Sequence, residues 1–293
     1  MTSNNLSKKP WNNNILVIGA GYIGTYLTQF LLNGNIPVIQ ICRNDLNYHD
    51  IKTLHRFILN KGIDCVINCS GFTGRPNVDE GESKKEECWH LNTTLPLKIT
   101  ELCNNIGVKY IHMSSGCIYS GYDKAYSEED SPNFGLFDAS SFYSKSKHAF
   151  EIMTKHLDLK ILRLRMPICN DLKNPRNFLY KISKYPNLIS ELNSKTYIPD
   201  LCWFVFELLK NCDDWKGQDI YNVVNSEPLS TFDVVNILNS RKNEIWGEVT
   251  PNWVNISDLN LAAPRSNCVL DNTKASKIYN FRTETEILNL VGI

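Results

Sequence analysis

The chain has 293 residues; its 31 Lys and Arg are balanced by 31 Asp and Glu, and 42% of it is hydrophobic against 21% charged. Zero net charge argues against a nucleic-acid partner, which calls for a basic excess, and the apolar content argues against a disordered chain. The apolar runs fall far short of the ~18–20 residues that cross a bilayer, so no membrane partner is expected. The opening residues MTSNNLSKKPWNNN contain no apolar core of a secretory signal. Ten cysteines show neither CxxC spacing nor a histidine at ligand distance. That fits reduced thiols in a cytoplasmic protein, with no disulfide framework and no metal site.

In chain order, Ile15–Gly19 reads as a buried strand. Tyr22–Asn33 carries Ile23, Tyr26, Leu27, Phe30 and Leu31 at helical spacing, and Gly34 stops it. Strand Pro37–Cys42, helix Ile51–Leu59, strand Asp64–Cys69, helix Leu95–Asn105, strand Lys109–Met113, helix Tyr143–His156 and strand Lys160–Arg165 follow. This alternation predicts an α/β protein with a doubly wound parallel sheet of Rossmann type, covered on both faces. Past Met166 the pattern loosens. Helices are expected near Pro199–Asn211 and Thr231–Asn239, with short strands around Ile220–Val224 and Trp253–Ile256. Residues 1–166 therefore read as a dinucleotide-binding domain and residues 167–293 mainly as a smaller α/β cap beside the sheet.

Gly19-Ala20-Gly21-Tyr22-Ile23-Gly24 is a GxGxxG motif that follows a strand and opens a helix. Gly19 suits a tight turn, Gly21 a close approach to a pyrophosphate, and Gly24 close packing of helix on strand, with the helix N-terminus facing the anion. After the second strand an acidic residue would bind the adenosine 2′-hydroxyl of NAD. Here Cys42-Arg43-Asn44 stands instead, and Arg43 can pair with a 2′-phosphate. NADPH is thus the expected cofactor, and nearby Asp45 leaves NADH open.

Tyr143-Ser144-Lys145-Ser146-Lys147 is a YxxxK motif, with Tyr143 and Lys147 one helical turn apart. An ammonium near the phenol is expected to bring its proton exchange toward neutral pH. Ser114-Ser115-Gly116-Cys117-Ile118-Tyr119 lies at the end of the fourth strand, at the sheet edge where such folds bind ligands. On an extended segment, Ser115 and Cys117 would point the same way.

GxGxxG, a strand-end Ser and YxxxK in this order resemble the extended short-chain dehydrogenase/reductases. Further blocks sharpen the resemblance: Gly74-Arg75-Pro76-Asn77-Val78-Asp79 with Glu82-Ser83, Leu164-Arg165-Met166-Pro167-Ile168, Asn174-Pro175-Arg176-Asn177-Phe178 and Ala263-Pro264-Arg265-Ser266-Asn267. They resemble the nucleotide-rhamnose synthase epimerase/reductases, and more distantly dTDP-4-dehydrorhamnose reductase and GDP-fucose synthase. That resemblance implies a nucleotide-sugar substrate bound mainly by residues 167–293. It implies 3,5-epimerisation and 4-reduction of a 4-keto-6-deoxyhexose, most simply UDP-4-keto-6-deoxy-glucose to UDP-L-rhamnose. A 2-acetamido substrate with 3-epimerisation, a reductase without epimerase activity, a non-catalytic NADP-binding subunit and a homodimer stay open.

The resemblance also implies roles. Tyr143 gives a proton to the reduced oxygen, Ser115 holds that oxygen, and Lys147 tunes Tyr143 and binds ribose. Cys117 and Lys181 are the acid/base pair of epimerisation. Ser70, Gly71, Thr73, Asn92 and Pro167 join Gly19, Gly21, Tyr22, Ile23, Gly24 and Arg43 around the cofactor. Arg75, Asn77, Arg176, Asn177 and Arg265 are the expected substrate contacts, with Arg265 the leading candidate for the diphosphate.

Overall fold

The aliphatic runs build one parallel sheet, and its carboxyl edge sets where a ligand can bind. The computed structural model describes residues 14–212, 214–241 and 246–291; residues 1–13, on which the absence of a secretory signal was read, lie outside the described residues. The first half of the chain runs β1 (Asn14–Ile18), α1 (Tyr22–Asn33), β2 (Val38–Ile41), α2 (Ile51–Lys61), β3 (Ile63–Asn68), α3 (Glu80–Ser83), α4 (Lys85–Trp89), a π-turn at His90–Thr94, α5 (Leu95–Asn105), β4 (Lys109–Ser115), β5 (Gly121–Tyr126) and α6 (Phe142–Met153). The second half adds β6 (Leu159–Leu164), β7 (Pro167–Ile168), α7 (Phe178–Lys184), β8 (Asn187–Leu188), β9 (Thr196–Tyr197), α8 (Ile198–Asn211), β10 (Gln218–Asn222), α9 (Thr231–Ser240), β11 (Asn252–Trp253), β12 (Cys268–Leu270), α10 (Thr273–Ser276) and α11 (Glu284–Leu290).

Six strands form the central sheet in the order β10-β6-β4-β3-β1-β2, and every neighbouring pair is parallel. Successive side chains on a strand alternate between the two faces. Ile15, Val17, Ile67 and Ile111 pack on Leu27 and Leu31 of α1 and on Leu201 and Val205 of α8. Leu16, Ile18, Val66 and Tyr110 pack on Leu54 and Ile58 of α2, Ile99 of α5 and Phe150 of α6. A third apolar cluster, Leu179 and Ile182 of α7 with Val234 and Leu238 of α9 and Ile287 of α11, is the core of a smaller region.

One helical segment was not expected, and two expected strands change in detail. Lys85–Thr94 is helical although its run of Lys and Glu hides any apolar period, and the π-turn passes directly into α5. Pro96, which has no backbone N–H, falls at this junction, where the irregular π-turn accommodates it. The strand expected at 220–224 is β10, which adds a sixth strand to the central sheet, and α8 crosses the sheet face to reach it. The strand expected at Trp253–Ile256 shortens to β11, paired with β8, and Ile256–Asp258 is a 3₁₀ turn.

The C-terminal segment is tied down by a buried ion pair. Lys195 Nζ meets Glu284 Oε2 at 2.8 Å with both side chains at most 2% exposed. Glu284 also accepts from the Lys195 and Leu229 amides, and Lys195 Nζ donates to the carbonyls of Asn193 and Leu229. No helix among the described residues is long and apolar enough to cross a membrane. Glu284→Ala leaves the Lys195 ammonium buried without its counter-ion, so urea unfolding is expected to show a loss of about 3–5 kcal/mol. Retention of wild-type stability would contradict the structural role of this pair.

Candidate active site

Chain order along the sheet reverses at β1 and β3, the switch point at which doubly wound sheets bind ligands. A cleft of about 1590 Å³ lies there. It is lined by the glycine loop, by residues after β2, β3, β4 and β6, and by α6 and α7.

The glycine loop fits a dinucleotide diphosphate on geometric grounds. Gly19 has φ +106°, and a Cβ there would lie 2.8 Å from Ser70 N. A Cβ on Gly24 would lie 2.0 Å from Gly19 O, so only glycine lets α1 pack on the end of β1. A Cβ on Gly21 would meet nothing within 4 Å, which leaves open space over the loop. No side chain caps the first amides of α1, so they remain free for an anion. Tyr22, Ile23, Ser70, Gly71, Thr73 and Pro167 line the same cleft. After β2, Arg43 lines the cleft, whereas Asp45 turns back to accept from Cys42 N at 2.7 Å.

Ser115, Tyr143 and Lys147 converge on this cleft, each at most 7% exposed. Ser141 caps α6 by accepting from Ser144 N at 3.1 Å, which fixes where the helix begins and so where Tyr143 sits. The Tyr143 phenol stands beside Ser115. The expectation that Lys147 brings the phenol toward neutrality is not met. Burial pushes the Tyr143 phenol well above its ordinary range, the Cys117 thiol adds to this, and the neighbouring Ser115 hydroxyl only partly opposes it. Burial lowers Lys147 to about 8. Its Nζ donates to Met113 O at 3.1 Å.

Cys117 lines the cleft, but not on an extended strand as expected. β4 ends at Ser115 and the chain turns, with Cys117 N donating to Ser115 Oγ at 3.1 Å. Lys181 reaches the cleft from α7, half-buried, with its pKa lowered by burial and then by Arg176. Arg75, Asn77, Arg176 and Arg265 also line it. Arg176 Nη1 bridges to Thr73 Oγ1 at 3.1 Å and Gly74 O at 2.8 Å. Arg265 holds Asp79 with both ends of its fork, at 2.7 and 2.8 Å, and keeps that carboxyl below its ordinary range.

The family profile described as "RmlD substrate binding domain" matches residues 13–286. The chain belongs to the RmlD substrate-binding-domain family. Within that family it is 35% identical over 224 residues to a trifunctional UDP-glucose 4,6-dehydratase/UDP-4-keto-6-deoxy-D-glucose 3,5-epimerase/UDP-4-keto-L-rhamnose-reductase of Arabidopsis thaliana. That match covers 72% of this chain and 32% of the relative, so the chain spans about a third of that protein's length. It is also 35% identical to the Arabidopsis thaliana bifunctional dTDP-4-dehydrorhamnose 3,5-epimerase/dTDP-4-dehydrorhamnose reductase, over 71% of this chain and 69% of the relative. Among solved structures, the L780 UDP-rhamnose synthase of Acanthamoeba polyphaga mimivirus superposes with a TM-score of 0.82 at 24% identity, covering 96% of this chain and 99% of that one. The dTDP-4-dehydrorhamnose reductase of Bacillus anthracis, solved with NADP, superposes with a TM-score of 0.80 at 19% identity, over 95% and 98% of the two chains. The sequence resemblance to this family and the Rossmann-type fold are both borne out.

Two expected contacts of this RmlD-family chain sit behind the cleft wall. Asn92, fully buried in the π-turn, donates to Phe72 O and Ser146 Oγ and accepts from Phe72 N. Asn177, also fully buried, caps α7 and donates to the carbonyls of Cys169 and Asp171. Neither amide has an edge left for a ligand. Conversely, Arg165 and Asp79 escaped the sequence reading of the site. The signal for Arg165 lies in the apolar run Lys160–Arg165, which carries Arg163 and Arg165 at a two-residue interval and so demands buried polar partners. Gly21→Val fills the open space over the glycine loop without touching the core. The variant is expected to keep its melting temperature and to bind NADPH at least about tenfold more weakly in a fluorescence titration. Unchanged affinity would place the dinucleotide elsewhere.

Proposed function

We propose that the chain is an NADPH-dependent 3,5-epimerase/4-reductase of a nucleotide-linked 4-keto-6-deoxyhexose, with UDP-4-keto-6-deoxy-glucose as substrate and UDP-L-rhamnose as product. The observation that carries this reading is the convergence of Ser115, Tyr143 and Lys147 with Cys117 and Lys181 on one cleft beside the glycine loop. A reductase alone has no use for the last two. The relatives' names support the same pair of reactions. Arg43 in the cleft, with Asp45 committed to its own turn, supports NADPH over NADH. Ten free thiols suit a cytoplasmic location.

Bound on the glycine loop, the dinucleotide supplies a hydride to the carbonyl carbon of the sugar. Tyr143 is kept protonated by burial and so holds the proton that the developing alkoxide needs. Ser115 fixes the carbonyl oxygen against it. Lys147, anchored on Met113 O, holds the ribose side of the cofactor. Epimerisation next to the ketone needs an acid and a base on opposite ring faces. Cys117 from the β4 turn and Lys181 from α7 reach the cleft from different elements. The lowered pKa of Lys181 brings its amine closer to proton exchange in the neutral range. Arg75 and Arg176 supply positive charge for the diphosphate. Arg265, paired with Asp79, instead anchors the Ala263–Ser266 strap across the cleft.

Tyr143→Phe removes only a hydroxyl. It is expected to fold, bind NADPH and lose about 10²–10⁴ in the rate of NADPH oxidation with the 4-keto sugar. Near-wild-type turnover would remove Tyr143 from the chemistry. Cys117→Ser is expected to lose deuterium incorporation at carbons 3 and 5 in heavy water, read by product NMR, and still to reduce a ketone supplied already epimerised. Normal exchange in this variant would remove Cys117 from the epimerisation, and absent exchange in the wild-type protein would reduce it to a 4-keto reductase.

A further inference from the structure

Arg163 in β6 and Arg165 just past its end are 3% and 1% exposed, yet their surroundings differ. Arg163 is neutralised by Glu151 at 2.7 Å. Arg165 makes no ion pair with a carboxylate among the described residues. Its Nη1 donates to Ser266 Oγ at 2.8 Å and to Cys117 Sγ at 3.1 Å. Its Nη2 donates to Ser266 O and Asn193 Oδ1, and its Nε has no partner. A guanidinium so buried keeps its full charge, and these neutral partners aim it without cancelling that charge. Gly116 gives the stem room under the Cys117 turn: a Cβ there would lie 2.4 Å from Leu270 Cδ1 and 3.0 Å from Arg165 Cδ.

We infer that Arg165 is a positioning residue for epimerisation, the fixed counter-ion of the Cys117 sulfur. The inference rests on the epimerase reading above. When the thiol protonates the ring carbon of the enolate, the S–H bond breaks, the proton forms the new C–H bond and the electron pair stays on sulfur. The Arg165 guanidinium already stands 3.1 Å from that anion, so no group has to move to meet the charge. In the reverse direction the same charge holds the thiolate until it takes a proton from carbon. Ser266 sets the aim. It belongs to the strap that Arg265 pins to Asp79, so the C-terminal segment reaches the acid/base sulfur through Arg165.

The test compares Arg165→Met, similar in length but uncharged, with Arg165→Lys, which keeps the charge. Alkylation of Cys117 by iodoacetamide at pH 7.5, followed on its own peptide by mass spectrometry, needs no substrate. Arg165→Met is expected to slow it at least about tenfold, because the reacting species is the thiolate, and Arg165→Lys to retain most of the rate. Mere loosening of the turn would expose the sulfur and speed alkylation, so an unchanged or faster rate in Arg165→Met overturns the inference. With substrate, the ratio of deuterium exchange to reduction of the pre-epimerised ketone is expected to fall at least about tenfold in Arg165→Met and to recover in Arg165→Lys. If Arg165→Met does not fold, Ser266→Ala, which removes the 2.8 Å hydroxyl, is expected to slow alkylation about threefold; no change there overturns the inference equally. Absent exchange in the wild-type protein defeats the epimerase reading itself; full exchange in Cys117→Ser removes the sulfur from the reaction and the inference with it; exchange lost in Cys117→Ser but normal, with normal alkylation, in Arg165→Met defeats only the role of Arg165.

Discussion

The end of β1 and the first turn of α1 approach so closely that a Cβ on Gly24 would come within 2.0 Å of Gly19 O. A parallel sheet must be covered on both faces, and α1 can lie flat on its face only if the crossing costs no side chain. With that contact made, α1 buries Leu27 and Leu31 against Ile15 and Val17, and α8 packs over the same face. The helix then points its uncapped amides at the carboxyl edge of the sheet. The position of the anion site thus follows from a packing constraint one turn away.

The second organising feature is the wall between the loop after β3 and α6. Asn92 joins the Phe72 backbone to Ser146 on α6, and the π-turn that carries it is what brings this side chain to the junction. From the other side, Glu151 of α6 accepts from Ser114 of β4 and pairs with Arg163 of β6. α6 is therefore fixed against two strands and one loop by polar contacts that water does not reach, which defines the positions of Tyr143 and Lys147. Such buried networks are costly if half-made, so they specify one arrangement of the helix rather than several.

Charge in the cleft is distributed unevenly. Arg265 is spent on Asp79 and Arg163 on Glu151, while Arg75, Arg176, Lys181 and Arg165 have no carboxylate ion pair among the described residues. A chain of zero net charge can in this way present a cationic cleft, because Asp171 is the one acid among the described residues that lines it. Net charge argues against a nucleic-acid partner but carries no information about this local field.

The strand–helix alternation, the glycine loop, the Ser–Tyr–Lys order and the Cys117 block were all legible in the amino-acid order. Each rests on local spacing: an apolar period, a turn that only glycine makes, two side chains one helical turn apart. The tertiary structure alone decided that Gln218–Asn222 joins the central sheet, that Asn92 and Asn177 serve the protein instead of a ligand, and that Arg265 is neutralised by a residue 186 positions earlier in the chain. It also decided the surroundings of Cys117, whose cation comes from 48 positions along the chain and whose aim is set by Ser266. The physical reason is the same in each case. Local spacing sets the conformation and the face of a side chain, but a partner for a buried charge or amide is found only when distant segments are brought within about 3 Å of each other, and that distance depends on how the whole chain packs.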